Sequence, residues 1–172
     1  MYLNIMLILL LTTATVTAIV VLLSFAITSF QAERSGAPFF PTPRQYIEEM
    51  LKAAGLKKGE VLYDLGSGTG RVLTIAEKQF GAEATGFELS TLFYLISRIN
   101  IFLSKTNAKI YRRDFYKTDL SKADVVFCFL VPLGLKRLEK KLENELRPGS
   151  RVVSYIFPLP SWRPVKTIEL KL

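Results

Sequence analysis

Histidine is absent from this chain, and cysteine occurs once, at Cys128. The first absence excludes every mechanism that needs an imidazole base and every histidine-ligated zinc, iron or copper site. The second excludes an intrachain disulfide and a cysteine-built zinc site. Carboxylates could still hold a hard cation, but no spacing marks such a set, and no metal site is assigned. Charge is missing altogether from residues 1–32. The rest of the chain is basic, with 23 Lys and Arg against 15 Asp and Glu. A net +8 suits nucleic acid, anionic lipid or an anionic cofactor without choosing among them. With 49% hydrophobic residues in a 172-residue chain, the composition excludes disorder and fits about one domain.

Within the charge-free stretch, residues 5–30 form one apolar run. As a helix it would extend about 39 Å at about 1.5 Å per residue. A bilayer core is about 30 Å thick, so the run can cross it with some tilt. Its threonines can bond back to the preceding turn. A secretory signal would have Lys or Arg ahead of a shorter apolar core, and Met1 to Asn4 has neither. Soluble helices are seldom apolar on every face over such a length. Residues 1–32 are therefore expected to be a single-pass transmembrane anchor. Arg34, Arg44, Lys52, Lys57 and Lys58 follow it, so the positive-inside rule places the remaining domain in the cytoplasm. Residues 33–42 are the expected linker and 43–172 the expected folded domain.

In that domain Thr42-Pro43-Arg44-Gln45 has the form of a helix start. Thr42 is the expected cap, Pro43 suits the first turn and Gln45 completes a capping box. Tyr46, Ile47, Met50, Leu51 and Ala54 then recur at helical spacing, and Gly55 can end the helix. Beyond it strands are expected at 60–65, 83–88, 108–113, 123–130, 151–157 and 165–172. Helices are expected at 71–80, 90–105 and 133–146. Alternating strand and helix with continuous apolar strands predicts an α/β fold, a mostly parallel sheet covered by helices on both faces.

Asp64-Leu65-Gly66-Ser67-Gly68-Thr69-Gly70 ends the first strand and opens a helix. Glycines there let the backbone turn sharply and a ligand approach it, while the helix start offers N–H groups to an anion. A P-loop would need Gly-Lys-Ser/Thr, and Gly70 precedes Arg71-Val72. A dinucleotide fingerprint would need glycine or alanine where Arg71 stands. Glu88 ends the second strand, where a carboxylate can accept two ribose hydroxyls. Asp114 follows the third strand and can accept from an adenine amino group, with Phe115 beside the ring. Each group lies at a strand's C-terminal end, where open α/β sheets bind ligands.

The D-x-G-x-G-x-G pattern resembles motif I of the S-adenosylmethionine-dependent seven-strand methyltransferases, whose loop holds the methionine portion of the cofactor. The likeness extends to Pro38-Phe39-Phe40-Pro41-Thr42-Pro43, Tyr63 to Arg71, Gly86-Phe87-Glu88-Leu89, Arg147 to Ser154, and Phe157-Pro158-Leu159-Pro160-Ser161-Trp162. These segments are similar to a group of protein-lysine methyltransferases. The group includes membrane-anchored enzymes that modify the ATP synthase c-subunit or the adenine nucleotide translocase, and archaeal relatives. The resemblance implies a Rossmann-like class I methyltransferase domain with S-adenosyl-L-methionine as cofactor. It implies cofactor contacts from Asp64, Gly66, Ser67, Gly68, Gly70, Glu88, Asp114 and Phe115, with Pro41 and Thr42 closing over the site. Many enzymes that methylate DNA bases or glutamine end the fourth strand in Asn/Asp-Pro-Pro-Tyr/Phe. Phe129-Leu130-Val131-Pro132 stands here, which departs from the nucleic-acid pattern. The family's sheet closes with a hairpin, and after Trp162 only one strand candidate remains, so that hairpin looks shortened.

These readings converge on a membrane-anchored methyltransferase acting on lysine side chains of a protein, with a membrane protein as the natural substrate. A small-molecule or lipid methyltransferase, or a catalytically silent cofactor-binding subunit, remains the alternative. No base is assigned. Phe157, Trp162 and Pro132 are the expected walls of a substrate channel, with Phe39 and Tyr155 as further candidates. The basic helix at 133–146 is expected to be a solvated face of i,i+4 pairs, and Cys128 a structural residue of a buried strand. The apolar stretch 90–105 is expected to pack on the sheet, with a membrane or partner contact as the alternative.

Overall fold

The computed structural model describes residues 2–35 and 41–169. A first helix, α1 (Tyr2–Ser35), contains the one stretch among the described residues long and apolar enough to cross a membrane, Ile5–Leu23. None of that stretch is buried within the protein. Its threonine hydroxyls donate back to carbonyls one turn earlier, as Thr13 does to Leu9 at 2.9 Å and Thr17 to Thr13 at 2.8 Å. Thr12 and Thr15 do the same, so none of these four hydroxyls needs water. The helix runs through Ser35, three residues into the expected linker. Residues 36–40, with Phe39, lie outside the described residues.

The remaining elements are α2 (Arg44–Ala53), β1 (Val61–Leu65), α3 (Arg71–Phe80), β2 (Glu83–Glu88), α4 (Thr91–Leu103), β3 (Lys109–Arg112), β4 (Val125–Cys128), α5 (Pro132–Glu145) and β5 (Arg151–Ser154). A 3₁₀ turn, Phe115–Lys117, follows β3. The strands form one all-parallel sheet in the order β3-β2-β1-β4-β5. Its connections diverge from β1, with β2 on one side and β4 on the other, which makes the β1/β4 boundary the switch point.

Two buried clusters cover the two faces. On one, Tyr46, Ile47, Met50 and Leu51 of α2 and Val72, Leu73, Ile75 and Ala76 of α3 pack on Leu62, Ala84, Val125 and Phe127. On the other, Leu135, Leu138 and Leu142 of α5 pack on Leu65, Phe87, Val126 and Cys128. The alternation of Leu62 and Leu65 with their neighbours divides β1 between these layers. Arg151 ties α2 to the sheet: its guanidinium donates to the carbonyls of Ala54 and Gly55 and pairs with Glu60 at 2.6 Å. A cation there also complements the C-terminal end of the α2 dipole.

Four expectations need correction. Thr42 does not cap α2; Pro43 is the cap residue, and no side chain bonds to the first turn. Pro43 already fixes a helix-compatible φ, so the entry needs no capping box. The strand expected over 151–157 ends at Ser154. There the chain turns through Ile156 at a φ of 66°, held by Phe157 N–H on the Tyr155 carbonyl and by the Ser154 hydroxyl on the Phe157 carbonyl. No strand forms over residues 165–169; Val165 is fully exposed and Ile168 packs against the α2/α3 cluster instead. Alternation makes a segment suitable for a sheet but does not supply a ladder partner. Residues 170–172 lie outside the described residues. Finally, α5 is not a wholly solvated lattice of ion pairs. Glu139 is buried and accepts from the Ser161 N–H at 2.9 Å and from its hydroxyl, while Glu143 accepts from the Trp162 indole N–H at 3.0 Å. Among the expected i,i+4 pairs of α5, Lys141 with Glu145 forms.

Candidate cofactor site and its opening

At the C-terminal ends of the parallel strands the topology sets Asp114, Glu88, the glycine loop and Phe129–Pro132 side by side, following β3, β2, β1 and β4. At a strand spacing of about 4.8 Å, the row from Asp114 to the loop spans about 10 Å. That length accommodates the extended arrangement of a base, a ribose and an amino acid.

The loop needs its glycines for two physical reasons. Gly66, Gly68 and Gly70 have φ values of 86°, 53° and 76°, in the left-handed region. Gly70 also lies against α4, where an added Cβ would collide with the Ser97 hydroxyl. Backbone bonds then fix the loop's course: Gly66 and Ser67 N–H both donate to the Phe87 carbonyl, and Gly70 N–H donates to Ser67. The Asn100 amide of α4 donates to the Thr69 carbonyl at 2.9 Å. At the next position α3 begins, and its first N–H groups have no intrahelical acceptor.

Glu88 holds the loop as well as facing the site. One carboxylate oxygen accepts the Gly68 N–H at 2.8 Å, and the other accepts the Ser90 N–H at 2.8 Å. Desolvation raises its pKa, and these backbone donors oppose the rise. Each oxygen keeps a further lone pair, so the same carboxylate can still accept ribose hydroxyls. The loop-holding role could not be read from sequence spacing.

Asp64 is buried, and its Oδ2 has no hydrogen-bond partner among the described residues. Burial lifts its pKa to about 7; the Ser67 side chain opposes that shift and the Glu88 charge adds to it. A buried acceptor without a donor beside a glycine loop suits a ligand that brings a cation or an N–H. The raised pKa also carries a stability cost. Below its unfolded pKa near 3.8 the group is neutral in both states; as pH rises through about 7 the folded form must ionise a buried group, and stability falls. The expected loss is on the order of 4 kcal/mol. Asp64→Asn should therefore raise the melting temperature of the ligand-free protein at pH 8 and leave it nearly unchanged at pH 4, as thermal unfolding at the two pH values will show.

Asp114 Oδ1 accepts the Tyr116 N–H at 2.9 Å and so starts the 3₁₀ turn. Its other oxygen can serve an adenine amino group. Phe115 is almost fully buried, in the α5-side cluster with its ring 4.3 Å from that of Tyr116, and so backs the site from within the core. Pro41 is exposed and Thr42 buried; the Thr42 carbonyl lies 3.5 Å from an Arg71 guanidinium nitrogen, which brings this segment to the start of α3.

The three residues expected to wall a channel do not gather beyond β4. Pro132 begins α5, whereas the Trp162 indole bonds Glu143 in the last turn of that helix. Eleven residues of helical rise, about 16 Å, separate Pro132 from Glu143, so Trp162 is drawn away from the Pro132 end. Phe157 packs on the α5-side cluster. Of the expected candidates Tyr155 does meet this edge, with two rings the sequence did not point to: Phe129 and Tyr155 rings are 4.8 Å apart, and Tyr155 and Tyr46 rings 6.3 Å apart. Tyr155 is only half-buried, and desolvation with the Tyr46 neighbour raises its pKa, which keeps the phenol neutral. Cys128, on β4, is buried with its thiol pushed up to about 12, an inert core residue.

Against known proteins, residues 64–166 match the family model described as the ANTKMT methyltransferase domain. A protein-lysine N-methyltransferase of Saccharolobus islandicus is 35% identical over 78% of this chain and 85% of its own length. The human lysine N-methyltransferase of the ATP synthase c-subunit is 37% identical over 74% of this chain and 54% of its own, so the chain spans about half of that relative. Among solved structures, an RNA methyltransferase from Salinibacter ruber in complex with S-adenosyl-L-homocysteine superposes with a TM-score of 0.74 at 33% identity, over 76% of this chain and 87% of that one.

Proposed function

The chain belongs to the family of the ANTKMT methyltransferase domain and is an S-adenosylmethionine-dependent methyltransferase, and from that premise we propose that it methylates lysine side chains of a protein from a membrane-anchored position. The residues fit the cofactor. Glu88 keeps acceptor capacity for the ribose, Asp64 has an unpartnered oxygen, and the loop's backbone is free of side chains at three positive-φ positions. Bound there, S-adenosylmethionine supplies an electrophilic methyl on a sulfonium and leaves as a neutral thioether.

The observation that carries the lysine reading is the make-up of the segment that leaves β4 at the β1/β4 switch point. Phe129-Leu130-Val131-Pro132 presents no acid, amide or histidine, and Phe129, Tyr155 and Tyr46 form an aromatic wall beside it. A lysine at pH 7 is protonated, and presenting it neutral costs about 4–5 kcal/mol from a reference pKa of about 10.4. Aromatic side chains packed around the amine would lower its pKa by desolvation and hold it in line with the methyl. No side chain at this edge is suited to act as a general base, so the proton leaves to water. Two relatives named as lysine N-methyltransferases support the same substrate class. The membrane position is supported by the apolar helix Ile5–Leu23 and by the cations that follow it, which favour a cytoplasmic domain.

The test is methyl transfer from labelled cofactor into membrane and soluble extracts, with the products resolved by mass spectrometry. Methyl-lysine is the expected product, formed at a rate that rises with pH until the bound amine titrates below about 10.4. Label in RNA with none in lysine, the outcome an activity like that of the Salinibacter RNA methyltransferase would give, would overturn the assignment.

A further inference from the structure

Helix α4 turns a narrow face to the protein and a wide apolar one away from it. Only Ser97 and Ile101 are buried. Leu92, Leu95, Ile99, Phe102 and Leu103 are exposed, Phe102 by 80% and Leu103 by 69%. At 3.6 residues per turn these five fall within an arc of about 100°, opposite Ser97 and Ile101. Leu89, ahead of the helix, extends the apolar surface. Tyr111 of the edge strand β3 does not, because it stacks on Phe87 on the α5 side of the sheet. Arg98, Lys105 and Arg112, which donates to the Thr91 hydroxyl at 2.8 Å, flank the stripe, and all three are exposed. Residues 89–113 contain no Asp or Glu, and Glu77 of α3 accepts the Asn107 N–H beyond the helix end.

From this we propose that α4 docks flat on an anionic bilayer surface, the apolar stripe entering the headgroup boundary and Arg98, Lys105 and Arg112 meeting lipid phosphates. The proposal rests on the reading of α1 as a membrane anchor. An apolar face flanked by Arg and Lys is the form of an interfacial helix, which seats about 5–10 Å into that boundary. Each cation near an anionic surface adds about 1 kcal/mol. A second copy of the chain fits less well, because a two-fold contact would set the three cations that flank the stripe against their own copies. The tether selects the bilayer too. Residues 36–43 separate α1 from α2 and reach at most about 30 Å when extended, so the domain is confined to the membrane's vicinity at high effective concentration.

Docking there bears on the site. Ser97 packs on Gly70 and Asn100 holds the Thr69 carbonyl, so the helix that meets lipid is the one that buttresses the cofactor loop. A lysine borne just outside the bilayer by a membrane protein would then be presented at the level of the opening.

The full chain in lipid nanodiscs provides the test, since its one cysteine is buried and does not compete for labels. An environment-sensitive fluorophore is placed through Phe102→Cys, through Lys140→Cys on the opposite face, and through Leu10→Cys in α1. In discs of phosphatidylcholine with phosphatidylserine, lipids spin-labelled near the headgroup should quench most of the Phe102→Cys signal and little of the Lys140→Cys signal. Lipids labelled deep in the chain should quench Leu10→Cys. Arg98→Glu with Lys105→Glu should release the Phe102→Cys signal from quenching. Quenching at Leu10→Cys with none at Phe102→Cys would overturn the docking and leave the anchor standing; no quenching at either would remove the anchor beneath it. A Phe102→Cys label shielded equally in lipid-free detergent, with the mass of a dimer, would assign the face to a second copy.

Discussion

Glu88→Ala is expected to weaken S-adenosylmethionine binding by about 100-fold or more, beyond what loss of a ribose contact alone would give. Hydrogen bonds to a charged group are worth about 1.5–3 kcal/mol each, and two ribose hydroxyls would lose theirs. The substitution also strips the acceptor from Gly68 N–H and Ser90 N–H, so the loop proposed to hold the methionine portion loses its tie to β2. Glu88→Gln separates the two contributions. It keeps an oxygen acceptor but not the charge, and should recover part of the affinity. Titration calorimetry of the wild type and both variants will show the order. Wild-type affinity in Glu88→Ala would remove this residue from the site.

Gly86→Val should be the most damaging single change to the fold around the site. Gly86 lies in β2 beside Asp64, and a Cβ there would overlap the Ser67 hydroxyl and approach Leu73 Cδ1 to 2.7 Å and Ile110 Cδ1 to 2.9 Å. Loop, helix α3 and strand β3 close on this position at once, so no one neighbour can yield without moving the others. Overpacking of this kind costs about 1–3 kcal/mol, and a branched side chain belongs at the upper end. The expected drop in melting temperature is about 10 °C. Cofactor affinity should fall in parallel because Ser67 is displaced. Gly59→Val is the comparison. Its glycine has a left-handed φ of 81° but nothing within 4 Å of a Cβ, so any penalty there comes from backbone strain without crowding and should leave cofactor affinity unchanged.

Much of this protein was written in local chemistry. The strand–loop–helix at Asp64 to Arg71 was legible because three positive-φ positions in one short turn favour glycine for steric reasons. The alternation of apolar strands with amphipathic helices fixed the all-parallel sheet and its two covered faces, since each element must bury its apolar side. The order of Glu88 and Asp114 along the chain placed them at adjacent strand ends once the strands were in register.

What the sequence could not reveal depended on which distant groups met. Glu139 and Glu143 looked like solvent-facing partners of nearby lysines, yet the segment after β5 crosses α5 and takes both, drawing Trp162 from the Pro132 end. The aromatic wall joins Tyr46 of α2 with Phe129 and Tyr155, which directly follow β4 and β5, residues with no shared spacing. The alternation at 165–169 promised a strand, but a ladder needs a partner edge, and Ile168 gained burial without one. Gly86 resembled an ordinary weak point in a strand until Ser67, Leu73 and Ile110 closed on it. Backbone conformation and amphipathic burial are set within a few residues and so are fixed by sequence alone; the partner of a carboxylate, an indole or an aromatic ring is set by whichever chain segment the completed fold brings within a few ångströms.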